Sequence, residues 1–159
     1  MATRKKTVSR KARAPRATKP AARRKRRRQQ PETLRLRSVT PGFTVDDLEK
    51  SLAWYRDVVG FDVEETWKDA DKVVGVSLKA GDVSFMIGQD DWKKGRDRKK
   101  GVGFRIFCMT NGSVDDLAKR IEAKGGRLDS GPTDQPWGFR DISLTDPDGF
   151  KITIGVAKR

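Results

Sequence analysis

The chain has 159 residues, enough for one domain rather than two, and a formal net charge of +14 from 36 Lys+Arg against 22 Asp+Glu. Residues 1–31 hold 14 of the basic residues and none of the acidic ones, so 22 of each remain for residues 32–159. No apolar run is long enough to cross a membrane, and the single cysteine, Cys108, excludes an internal disulfide.

Residues 1–32 read as a disordered basic arm and 33–159 as the folded domain. Met1 and Val8 are the only large apolar residues before residue 32, too few to offset chain entropy, and Pro15, Pro20 and Pro31 interrupt any helix. The densest run is Arg23, Arg24, Lys25, Arg26, Arg27 and Arg28. Such a run attracts a polyanion, and nucleic acid would bind by counterion release. With no aromatic residue for base stacking, that binding is expected to be independent of sequence. The other reading of the arm is a solvated tail that aids solubility. A basic start without an apolar segment after it argues against secretion. The expected location is the cytoplasm, with nucleoid association if the arm binds nucleic acid.

The domain contains a repeat. Thr44-Val45-Asp46-Asp47-Leu48-Glu49-Lys50 returns 69 residues later as Ser113-Val114-Asp115-Asp116-Leu117-Ala118-Lys119. Each copy opens on a hydroxyl residue three positions before an aspartate, close to a helix capping box. In chain order, a strand is expected over 36–43 and then a helix over 46–59. Leu48, Leu52, Tyr55 and Val59 form the buried stripe of that helix, and Gly60 stops it. Strands follow at 61–67, 73–79 and 82–88, with Ala80-Gly81 as a tight turn. A basic linker over 92–100 separates the halves and reads as solvated, the other reading being a second basic patch that cooperates with the arm. The second half repeats the order: strand 102–109, helix 114–124, and strands 126–130, 140–145 and 150–156. Asp146-Pro147-Asp148-Gly149 suits a type I turn before the last strand.

Three stretches carry a resemblance. They are the helix and its exit from Asp47 through Trp54-Tyr55-Arg56-Asp57 to Gly60-Phe61, the segment Gln135-Pro136-Trp137-Gly138-Phe139-Arg140, and the turn Asp146-Pro147-Asp148-Gly149. Together they resemble the vicinal oxygen chelate superfamily, which includes glyoxalase I, extradiol dioxygenases and the bleomycin-resistance proteins, and they lie nearest the last branch. The resemblance covers about 35–157. It implies an α+β fold of two tandem βαβββ modules, about 35–90 and 101–157, each a half-barrel around a cavity. It also implies a homodimer with ligand grooves at its interface.

Enzymes of that superfamily hold a divalent metal with His, Glu or Gln side chains. This chain has no histidine. Aligned on the repeat and the turn, the ligand positions fall near Thr40, on Ser84 or Met86, in the Gly101–Gly103 region and on Thr153. Such groups make a poor hard-cation site. No cofactor, metal ligand or catalytic residue is therefore expected, and Cys108, in an apolar strand, reads as structural. The residues expected to touch a ligand are Phe43, Trp67, Met86, Trp92, Phe104, Trp137 and Arg140, because rigid aromatics give contact area at small entropic cost. For Arg140, pairing with Asp134 or Asp141 stands beside orienting an anionic group. Three functions remain open: a metal-free binder of an antibiotic or aromatic metabolite, a metal-dependent lyase or dioxygenase of the same superfamily, and a nucleic-acid-associated protein acting through the arm. Bleomycin itself is cationic and fits this charge balance poorly.

Overall fold

The computed structural model describes residues 36–158. The elements run β1 (Gly42–Val45), α1 (Leu48–Ala53, continued by a wider π turn over Trp54–Val59), β2 (Asp62–Asp69), β3 (Lys72–Ala80) and β4 (Val83–Gln89). The second half gives β5 (Arg105–Met109), α2 (Val114–Ala123), β6 (Ser130–Asp134), β7 (Phe139–Thr145) and β8 (Lys151–Ala157). Two four-stranded sheets result, ordered β1-β4-β3-β2 and β5-β8-β7-β6. In each, the first strand runs parallel to the last and the other pairs are antiparallel. This is the α+β arrangement of two tandem βαβββ modules that the sequence implies. Among the described residues, no helix is long and apolar enough to cross a membrane.

Alternation along the strands decides what faces the core. On β4, Phe85 and Ile87 are buried and Met86 between them turns the other way; on β5, Ile106 and Cys108 are buried while Arg105, Phe107 and Met109 are exposed. The buried sides of both modules pack into one core. Phe43, partly buried, packs against that core, its ring 5.7 Å from Phe85 and 4.2 Å from Phe150, so it links the two halves. The opposite side of each sheet is left as the concave face.

The second helix starts where expected, at Val114, whereas the first starts at Leu48 rather than at residue 46. Ser113 caps α2, its hydroxyl accepting from the Asp116 amide. In the first copy Thr44 belongs to β1, and the cap is Asp47, which accepts from the Lys50 amide. The chain reaches the helix later because remote side chains satisfy the amides on the way: Asp148 accepts from the Asp46 amide at 2.7 Å, and Gln89 accepts from the Leu48 amide at 3.1 Å. The helix still ends at Gly60, whose φ of 102° only glycine adopts at little cost.

Three strand expectations shift, one of them β5, which begins at Arg105 rather than at residue 102. The first strand begins at Gly42, after Pro41, rather than at residue 36. The sixth lies over Ser130–Asp134 rather than 126–130, because the Gly126 amide still closes α2 on the Ile121 carbonyl. Pro132 is tolerated there since β6 is an edge strand.

The Asp146–Gly149 turn holds the halves together. Buried Asp146 accepts from the Phe150 and Asp148 amides and from the Tyr55 hydroxyl at 2.8 Å, while Asp148 accepts from Ser51 Oγ at 2.9 Å. Burial pushes both the Tyr55 hydroxyl and the Asp146 carboxyl up from their ordinary values. A turn of the second module thus clamps the helix of the first.

Candidate functional site

The concave face of the first module holds a cavity of about 300 Å3 lined by Trp67 and Met86 among others. Trp67 pairs directly across the ladder with Gly75, and its ring lies where a side chain at residue 75 would begin, 3.1 Å from an ideal Cβ. Glycine at 75 therefore sets the floor on which the indole rests. Above the floor, Met86 reaches over Gly42 in the same way, with 3.4 Å to an ideal Cβ. At the other end, Glu64 accepts from Lys79 Nζ at 3.0 Å and from Ser77 Oγ, so the Lys79 charge is already matched. Those two donors hold the Glu64 carboxyl below the usual carboxylate range, the Lys79 hydrogen bond most of all.

The second module repeats the device with different residues. Phe107 lies over Gly155, 3.2 Å from an ideal Cβ, and meets Phe139 edge-on at 5.7 Å and 81°. Thr153 is buried between them and the start of the sheet; its hydroxyl accepts from Arg105 Nη1 at 2.7 Å. Asp141 is buried near Gly155 and accepts from Gln135 Nε2 at 2.8 Å. A second cavity, about 500 Å3, opens beside Arg105, Lys151 and Phe104.

The seven residues expected to touch a ligand do not form one site. Trp67 and Met86 share the first cavity, and Phe43 contributes to its wall while its ring packs against the core. Phe104 belongs to the second cavity. Trp92 lies in the linker, with the Arg96 guanidinium 4.6 Å and Lys100 Nζ 5.2 Å from its ring centroid. Trp137 is 65% exposed on the loop before β7. Arg140 is engaged in ion pairs: it donates to Asp115 at 2.7 and 2.9 Å and to Asp134 at 3.0 Å. Those contacts hold Asp115 and Asp134 below the ordinary carboxylate range; for Asp134 the Lys158 hydrogen bond contributes most. The run Arg23–Arg28 lies outside the described residues.

The linker is less solvated than its composition implies. Lys100 Nζ, with a side chain only 6% exposed, donates to Asp90 at 2.5 Å and pairs with Asp46 at 2.9 Å, and Arg98 closes on the same Asp90 oxygen. The Lys100 hydrogen bond, helped by the Trp92 amide and the nearby positive charges, holds the Asp90 carboxyl down at about 2.

The side chains at the expected metal-ligand positions do not fit a divalent ion. Thr40 is exposed and precedes β1, Met86 offers a soft thioether, and the Thr153 hydroxyl already accepts from a guanidinium. A cation seated on one intended ligand repels a dication. Among the described residues, no three His, Cys, Asp or Glu side chains gather for a metal. Burial pushes the Cys108 thiol up, away from the reactive thiolate.

Arg105, Phe107, Phe139 and Lys151 were not legible as site residues from composition or motif. For Arg105 and Phe107 the signal is the alternation Arg105-Ile106-Phe107-Cys108-Met109, which sends every second side chain away from the core.

Two βαβββ half-barrels with aromatic concave faces define a vicinal-oxygen-chelate type of protein. The model of the Glyoxalase/Bleomycin resistance protein/Dioxygenase superfamily matches residues 36–154, and the chain belongs to that superfamily. Similar solved structures include TioX from Micromonospora sp. ML1, at 17% identity and TM-score 0.60, over 77% of this chain and 98% of that one. TnmS3, an antibiotic binding protein from Streptomyces sp. CB03234, is 25% identical with TM-score 0.57, over 76% of this chain and 97% of its own. A lactoylglutathione lyase from Agrobacterium tumefaciens is 18% identical with TM-score 0.58, over 80% and 96%. Among curated proteins, none matches the sequence.

Proposed function

We propose that this protein binds an aromatic small molecule, of the antibiotic or metabolite kind, on its concave faces and does so without a divalent metal. The observation that carries the reading is the repeated aromatic-over-glycine floor, Trp67 on Gly75 and Phe107 on Gly155. In each case a ring atom takes the space a Cβ would fill, which brings an aromatic side chain against the backbone, and a planar ligand stacking on that side chain adds to apolar burial. The similarity to an antibiotic binding protein supports the same class of ligand. The donor set leaves Lewis-acid catalysis without a metal to supply it, so a binding role is favoured over a lyase or dioxygenase role.

A homodimer completes the site in this reading. Each half-barrel is open on one side, with Phe107 46% and Met109 64% exposed on the concave face of the second module. A second copy would cover that face. The cytoplasm is the proposed location. The basic arm supplies a separate polyanion contact, proposed from the charge division of the sequence. Removing residues 1–31 should then lower both DNA affinity and its salt dependence.

A thermal-shift panel of aromatic antibiotics and planar metabolites tests the binding role, since a ligand specific for the folded state raises the melting temperature. At least one compound is expected to raise Tm in a concentration-dependent way. A panel in which none does, at concentrations well above micromolar, contradicts the reading.

A further inference from the structure

In the parallel pairing of β5 with β8, Arg105 stands directly opposite Lys151. Facing residues in a ladder point to the same side, so two positive charges sit side by side on one floor. Like charges placed this way destabilise a sheet. Among the described residues neither has a carboxylate partner: Arg105 donates only to the neutral Thr153 hydroxyl, and Lys151 pairs with no acid. The other half of the molecule handles the same situation differently, matching Lys79 with Glu64.

The pair also opens onto space. Arg105 and Lys151 line the cavity of about 500 Å3, together with Lys100, whose charge is spent on Asp46 and Asp90. The wall behind them is fixed. Gly101 (φ 70°) backs onto Gly149 so closely that a Cβ at 101 would lie 2.1 Å from the Gly149 carbonyl oxygen. Among the described residues Asp129 reaches this end of the floor by accepting from the hydroxyl of Thr145, the ladder neighbour of Lys151, but it pairs with neither cation; Asp141 stands beside Gly155, four residues along β8 from Lys151 and so about 13 Å away. Phe107 stands between the two ends, and Phe139, opposite Ala157 just past Gly155, meets it edge-on.

We propose that Arg105 and Lys151 form the anion end of the second module's ligand site, with Phe107 and Phe139 as its ring bed. The ligand is then an aromatic molecule carrying a compact oxyanion such as a carboxylate. This rests on the small-molecule-binding reading and adds the ligand's charge and direction. The oxyanion lies at the guanidinium that holds Thr153, and the ring extends toward Gly155. A bridging anion removes the repulsion between the two cations, and a bidentate carboxylate suits the planar fork of Arg105.

The test uses the full chain and two probes of one shape, 1-naphthoate and neutral 1-naphthalenemethanol, titrated by calorimetry. The wild type should favour naphthoate by about tenfold to a hundredfold, the range of a hydrogen bond to a charged group. In Arg105→Gln and in Lys151→Gln that preference should shrink, and in the double variant the ratio should fall near one. Arg105→Lys should retain part of it. Equal affinity of the wild type for both probes overturns the anion end while leaving a ring-binding cavity in place. A preference that survives in the double variant also overturns it, placing the anion elsewhere, on the basic arm for example. Failure of both probes to bind the wild type removes the ring-binding reading, and this inference with it.

Discussion

The two modules share a strand order and a core, yet their concave faces have diverged. In the first, Trp67 rests on Gly75 and Lys79 is matched by Glu64. In the second, Phe107 rests on Gly155, and Arg105 and Lys151 face each other across a ladder with no acid between them. The helix sides differ as well: α1 widens into a π turn and is clamped through Tyr55 to Asp146, while α2 stays regular. The lesson is that a duplicated fold constrains the residues that face inward. The other half of each strand, freed from packing, is where the two copies acquire different chemistry.

The largest expected effect separates the shared core from the faces. Asp146→Ala removes the acceptor of the Tyr55 hydroxyl and of two amides, and should cost roughly 3 kcal/mol or more in chemical denaturation. Tyr55→Phe loses one of those bonds and should cost about 1.5–3 kcal/mol. A loss under about 1 kcal/mol in Asp146→Ala would show that the turn does not clamp the halves.

Next come the floors. Gly75→Val forces a side chain into the Trp67 ring and toward the Ile87 carbonyl, 3.3 Å away; Gly155→Val does the same to Phe107. Overpacking of this kind costs about 1–3 kcal/mol, and each change should abolish ligand binding on its own module. Titrating one ligand into both variants tells which face holds it. Equal, undiminished affinity in both would break the comparison.

A smaller effect lies in acid. Asp90 is held at about 2, below its ordinary 3.8. The folded state therefore takes up that proton less readily than the unfolded chain does. Stability from this group is complete above about pH 4 and fades as pH falls toward 2. Lys100→Met should lower stability at neutral pH and shrink the loss between pH 4 and 2, read from denaturation at stepped pH. The smallest effect is expected of Arg140→Ala. Its partners Asp115 and Asp134 lie on the surface, so Tm should move slightly and ligand affinity not at all.

Much of this was legible in the sequence, and for identifiable reasons. The repeat of Thr44–Lys50 in Ser113–Lys119 announced two like modules, and alternation on 73–79 and 82–88 placed two of the strands. Thr44 was misleading as a helix cap because the competing contacts come from Asp148 and Gln89, which are distant in sequence. Trp92 was expected to touch a ligand and lies against the Arg96 guanidinium, while the pairing of Arg140 with Asp134 was one of the two roles read from the sequence. Arg105 and Lys151 are unremarkable in sequence; only the register of β5 against β8 sets them opposite each other.

The central claim is that these faces bind an aromatic ligand without a metal. Its most direct test is the affinity of a compound from the thermal-shift panel, measured by calorimetry before and after exhaustive chelation. The same dissociation constant is expected in both preparations. A loss of binding on chelation that returns with one equivalent of a divalent ion would contradict it.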